Sequence, residues 1–135
     1  MKRVLYDTNV ILDVLLQREP HFTASAKALD AAGQKKVEGF ISGHAVATIA
    51  YLLQRQVGRD GTKSLLLHLL SNLKVAPVTD AGIRQALTGA FADLEDAICT
   101  AAAQEAGAAI IITRNVADFK SSPIPAVTPA AFRWR

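Results

Sequence analysis

The acids of this chain fall in places where they could act together. Asp7 closes the short apolar run Val4-Leu5-Tyr6, and Thr8, Asn9 and the apolar series Val10, Ile11, Leu12 follow it. Asp93, Glu95 and Asp96 open a later stretch, and Thr113, Asn115 and Asp118 come just after the run Ala109-Ile110-Ile111-Ile112. Carboxylates brought together repel one another and need a cation, a shared proton or basic partners. Hard divalent ions such as Mg²⁺ take oxygen ligands and keep several waters, so two or three carboxylates suffice to hold one. Such an ion orients water for attack at phosphorus and stabilises the charge that develops there.

Each acid also has a structural role open to it. Asp7 can cap the helix that starts at Thr8. Asp93-Leu-Glu-Asp96 has the form of a capping arrangement, an acceptor with an acid three residues on. Acids in a first helical turn are favoured by the helix dipole, and Asp118-Phe119 reads as part of a loop. The histidines His21, His44 and His68 show no metal-ligand spacing, and there is no glycine-rich phosphate loop or nucleophile elbow. The single cysteine, Cys99, excludes an intramolecular disulfide. Its alanine-rich surroundings suit a small buried thiol.

These acids must be positioned by the elements around them. The pattern predicts strands over Arg3–Tyr6, Glu38–Ser42, Lys74–Pro77 and Ala109–Ile112, with a last short one at Ala126-Val127. Helices are expected over Thr8–Gln17, His21–Gly33, Gly43–Val57, Gly61–Leu73, from the cap Thr79 to about Gly89, and over Asp93–Ala106. Strands alternating with helices make an α/β domain with a mainly parallel sheet covered on both faces. In such sheets ligands bind outside the carboxyl ends of the strands. There Asp7, the residues after Ile112 and the start of the helix at Asp93 can converge.

The bulk properties agree. The 135 residues suit one domain over 1–135, and 50% apolar content supports a core. No apolar run is long enough to cross a bilayer and no signal peptide is evident, so a cytoplasmic location is expected. The net charge of +3 tolerates a nucleic-acid partner without requiring one. Most basic residues are scattered, and Arg133 and Arg135 form either a basic tail or a frayed end. The run Leu65-Leu66-Leu67-His68-Leu69-Leu70 holds more apolar residues than one buried face needs, which suits a homodimer interface or burial on two sides.

Three segments together, VLYDTNVILDVLL, DLEDAICTAAAQEAGAAIIITRN and VADF with SPIPAVTPAAF, give the chain a resemblance to a known family. It resembles PIN-domain proteins, the small metal-dependent ribonuclease fold that includes VapC-like toxins of bacterial toxin–antitoxin pairs. The resemblance implies a three-layer α/β/α sandwich around a mainly parallel sheet. It also implies Mg²⁺- or Mn²⁺-dependent hydrolysis of RNA phosphodiesters, a cognate antitoxin and a homodimer. By the same resemblance Asp7 and Asp96 are the metal ligands, Asp93 an additional acid and Asp118 a further one. Asn9, Thr48, Thr113 and Asn115 support them. Two departures stand out. The stretch ISGHAVATIAYLL lacks the glutamate many members carry on the helix after the second strand, with Thr48 near its place, and Asn115 replaces a frequent aspartate. The alternative is therefore a catalytically degenerate PIN domain that binds RNA or protein without cutting. A phosphoryl-transfer or receiver-type domain with Asp7 as nucleophile ranks below both, because Asn9 stands where a second acid is wanted.

Overall fold

The computed structural model describes residues 1–134. Five strands form one sheet: β1 (Arg3–Tyr6), β2 (Glu38–Ser42), β3 (Leu73–Ala76), β4 (Ile110–Ile112) and β5 (Ala126–Val127). Their order is β3-β2-β1-β4-β5, and every neighbouring pair is parallel. The helices are α1 (Thr8–Leu15), α2 (Phe22–Gly33), α3 (Gly43–Leu70), α4 (Asp80–Thr88) and α5 (Leu94–Glu105).

Period-two alternation splits the strands between two cores. Val4, Tyr6, Ile41 and Ile112 pack with Val10, Ile11, Ala28, Ile49 and Leu53 of α1, α2 and α3. Leu5, Phe40 and Ile111 face the other way, onto Cys99, Ala102 and Ala103 of α5. The architecture is thus a three-layer α/β/α sandwich, and Cys99 is the buried core thiol its neighbours implied. Because both faces are covered, β1 and β4 read as unbroken apolar runs rather than alternating ones.

The strand order places the site. From β1 the chain builds outward through β2 to β3, and then returns to the other side of β1 for β4 and β5. The order therefore reverses at the β1/β4 seam, where open α/β sheets leave a crevice beyond the strand ends. Asp7 and Thr113 are the first residues past those two strands. They continue the ladder, since Asp7 N–H donates to Ile112 O at 2.9 Å and Thr113 N–H to Val127 O at 2.9 Å.

Several element boundaries depart from expectation, most by a residue or two at an end. The first helix ends at Leu15, with Gln17 at φ 51°, rather than running to Gln17. The helices expected over Gly43–Val57 and Gly61–Leu73 form one long element broken at Gly58, whose φ of 74° and extended ψ suit a residue without a Cβ. That element stops at Leu70, because Leu73 belongs to β3 and pairs with Gly39. β3 then ends before Pro77, which has no N–H to give a ladder.

The leucine run at the end of α3 is mostly spent on the core. Leu69 is buried, Leu65, Leu66 and Leu70 pack against the same cluster, and Leu67 is exposed. His68 is exposed as well. At the C-terminus Arg133 caps the carbonyls of Ala130 and Phe132, while Arg135 lies outside the described residues. Among the described residues no helix is long and apolar enough to cross a membrane.

Candidate active site

A cleft of about 350 Å³ opens beyond the carboxyl ends of β1 and β4. Asp7, Asn9, Thr48, Asp93, Asp96, Asn115 and Asp118 all line it, so seven of the eight residues singled out in the sequence meet there. The eighth, Thr113, lies fully buried beneath it and donates its hydroxyl to Asp7 Oδ2 at 2.8 Å.

Asp7 performs two tasks at once. As the N-cap of α1 it accepts from Thr8 N–H at 2.8 Å through Oδ1. Its Oδ2 takes the Thr113 hydroxyl and lies 3.4 Å from Asn9 Nδ2. Asn9 in turn accepts from Arg114 N–H at 3.3 Å, which ties the first turn of α1 to the loop after β4. Burial pushes the Asp7 carboxyl above its ordinary range, opposed by the Thr113 and Thr8 hydrogen bonds and by His44, and reinforced by Glu95.

The second group of acids comes from the start of α5. Asp93 is its N-cap and accepts from Asp96 N–H at 3.1 Å. Asp93 thus both caps the helix and lines the cleft. Asp96 is raised to about 7, first by burial and then by the charges of Asp93, Asp7, Asp118 and Glu95. Burial and the surrounding acids thus make the Asp96 charge costly, a cost that a cation would reduce. Asp118 sits in the helical turn Val116–Phe119 that follows β4, where a plain loop is expected from sequence, and Phe119 is anchored in the core beside it.

The wall supplied by α3 carries no acid. Thr48 is there, together with His44, whose spacing from the other histidines gives no sign of a ligand role. His44 Nδ1 is hydrogen-bonded to the buried Ser42 hydroxyl at 2.5 Å. Burial lowers its pKa, with Glu95 and Asp7 acting in the opposite direction. Its place, two residues past the carboxyl end of β2, is the signal that would have found it.

The cleft also holds two cations, Arg18 and Arg114, which sequence reasoning did not pick out. Both are anchored on Asp13, an acid of α1 that is completely buried. Arg114 pairs with it through Nε at 2.7 Å and Nη2 at 3.2 Å, and Ser25 donates to the same carboxylate at 3.1 Å.

The donors fit an open, hydrated divalent ion. They are oxygens, their mutual charge calls for a cation, and Mg²⁺ needs only one or two carboxylates when it keeps its waters. Among the described residues no three His, Cys, Asp or Glu side chains converge tightly enough to enclose an ion unaided. Such enclosure is not required of a hydrated Mg²⁺ site.

Thr113→Val tests the support beneath Asp7. The swap keeps the shape and deletes the hydroxyl, leaving Asp7 Oδ2 with the weaker Asn9 contact. A loss of about 1–3 kcal/mol is expected in urea unfolding, and Thr113→Ser is expected to recover most of it.

The fold and site define an α/β domain with an acidic crevice at its strand-order reversal. A family model described as PIN domain matches residues 3–117, and the chain belongs to the PIN-domain family. Solved structures share the fold. A toxin–antitoxin complex from Klebsiella pneumoniae is 26% identical, with a TM-score of 0.69, covering 93% of this chain and 97% of that one. VapBC2 from Rickettsia felis, bound to a promoter DNA fragment, is 18% identical with a TM-score of 0.69, over 93% of this chain and 98% of that one. The sarcin–ricin loop cleaving toxin VapC20 of Mycobacterium tuberculosis is 16% identical with a TM-score of 0.61, over 80% and 86%. No curated protein matches the chain by sequence.

Proposed function

We propose that this chain, as a single domain, is a metal-dependent endoribonuclease and the toxin of a toxin–antitoxin pair. The observation that carries the reading is the gathering of Asp7, Asp93, Asp96 and Asp118 in one cleft, with Asp96 driven up to about 7 by burial and then by its acidic neighbours. Structural capping accounts for Asp7 and Asp93 one at a time, but it gives no reason for these four acids and Glu95 to share one crevice. The similarity to solved toxin–antitoxin complexes supports the antitoxin as partner.

Asp7 and Asp96 would hold Mg²⁺ or Mn²⁺, with Asp93 and Asp118 adding negative charge and Asn115 able to offer a neutral carbonyl oxygen. A bound ion supplies positive charge at the phosphate and acidifies water beside it. Thr8, Thr113 and Asn9 fix the Asp7 carboxylate, so its orientation needs no rearrangement when substrate arrives. In the reaction water adds a hydroxyl to phosphorus, one P–O ester bond breaks, and the leaving oxygen takes the proton.

The second reading, a binding module that no longer cuts, is favoured by Thr48 and His44 on the α3 wall in place of an acid. Incubating the purified protein with a structured RNA in Mn²⁺, in Mg²⁺ and in chelator separates the two. Cleavage that needs metal is expected. Intact RNA under all three conditions would overturn the nuclease in favour of the binding module. A homodimer is part of the same proposal, and of the α3 leucines Leu67 stays exposed to meet a second copy. Light scattering on the purified chain decides it.

A further inference from the structure

The geometry points to a phosphate clamp at the cleft, formed by the guanidiniums of Arg18 and Arg114 and held in place by the buried carboxylate of Asp13. The inference rests on the nuclease reading for its substrate class, the backbone of an RNA strand.

Asp13 has no exposure to solvent, so its charge must be met within the protein. Two arginines meet it. Arg18 lies 3.0–3.1 Å from Oδ1 through Nη2 and Nε, and Arg114 lies 2.7 Å from Oδ2 through Nε. One carboxylate facing two guanidiniums leaves a net positive charge. A structural ion pair would need only one of them.

The surplus is directed into the cleft. Both arginines line it, and their side chains keep 39% and 27% of their exposure, so neither is sealed in the core with its partner. Arg18 Nη2 also donates to Asn9 O at 3.1 Å, which fixes the guanidinium against the first helical turn beside Asp7. Among the described residues Nη1 of each arginine makes no hydrogen bond to protein. Two planar forks, each anchored along one edge and free along the other, suit an anion with several oxygens. The acidic cleft would otherwise repel an RNA backbone, and the clamp supplies the attraction that places a phosphate beside the acids. Asp13 acts through the arginines and is a positioning residue.

The test is binding without turnover. A short single-stranded RNA, labelled with fluorescein, is titrated with protein in chelator across a salt series. Arg18→Gln is the main variant, because Arg114 still compensates Asp13 and the fold is kept, which a thermal melt checks. It is expected to weaken binding about tenfold and to flatten the log–log salt slope by about 0.7, the value for one lost phosphate contact on a single strand. Arg18→Lys keeps the charge without the fork and is expected to lose affinity at an unchanged slope. Asp13→Asn leaves both guanidinium charges but loosens their anchor, so affinity is expected to fall even though the cleft becomes more positive.

Wild-type affinity and slope in both Arg18 variants would overturn the clamp, as would failure of the wild-type protein to hold RNA in chelator. Wild-type affinity in Asp13→Asn would overturn its positioning role. Failure of the nuclease reading shows separately, as RNA that stays intact in Mg²⁺ and Mn²⁺ while the Arg18 variants still bind it poorly.

Discussion

Asp7→Asn and Asp96→Asn are each expected to lower RNA cleavage by roughly a hundredfold to a thousandfold or more. Mutating residues one shell away from a metal typically costs 10–100-fold, so removing a ligand itself should cost more. The Asp7 variant also separates its two tasks. Asn caps a helix about as well as Asp: its one side-chain oxygen can keep the Thr8 N–H, and its amide nitrogen can donate to the Thr113 hydroxyl oxygen. The fold and the α1 cap are therefore kept while the charge is lost. If Asp7 were only a cap, cleavage would be unchanged, and that result would overturn its proposed role.

Asp96→Asn carries a second expectation of opposite sign. The wild-type acid is pushed up to about 7 by burial and by Asp93, Asp7, Asp118 and Glu95, so its charge strains the folded state. Neutralising it should raise the thermal midpoint in chelator even as activity disappears. Mg²⁺ should raise the midpoint of the wild-type protein and shift that of the variant little, because a ligand that binds only the folded state stabilises it by mass action. A variant less stable than wild type in chelator would show that Asp96 serves the α5 N-terminus rather than a cation.

What the sequence reveals of this site follows from the range of the interactions. Asp7, Asp93, Asp96 and Asp118 are legible because each stands at a strand end or a helix start, positions that local pattern marks. Parallel α/β topology then brings those positions to one edge. Asp13 is not legible. It lies inside the α1 pattern, where an acid looks like a solvated face, and the partner that keeps it buried, Arg114, is 101 residues away. The same limit shows at β3. Leu73 continues the leucine spacing of α3, but pairing with Gly39 draws it into the sheet, and no local signal reports that pairing. His44 is not legible for a different reason: the histidines show no ligand spacing among themselves, and the acids whose charge it feels, Glu95 and Asp7, stand on other elements.

Gly39→Ala is expected to destabilise the protein by about 1–3 kcal/mol, the usual range for forcing atoms into a packed core. Gly39 sits in β2 opposite Val4, on the face covered by α2. A Cβ there would meet Leu73 Cδ2 at 2.7 Å, Ala32 Cβ at 2.8 Å and Tyr6 Cε2 at 3.0 Å. Two of these neighbours do not yield easily. Ala32 Cβ is fixed directly to the α2 backbone, and Tyr6 is fully buried with its hydroxyl donating to Ala28 O at 2.7 Å. Alanine also restricts the unfolded chain, a gain of about 0.4–1 kcal/mol that offsets part of the loss without reversing it. Leu73 is the neighbour that can be shortened. Leu73→Val costs stability alone, but in combination with Gly39→Ala it removes the 2.7 Å clash. The double variant should therefore be more stable than the sum of the singles predicts, by about 0.5 kcal/mol or more. Urea unfolding of the four proteins gives the coupling. Strict additivity with a near-neutral Gly39→Ala would mean that α2 can retreat from the sheet, and that the glycine is not what lets helix, tyrosine and β3 close together beneath the site.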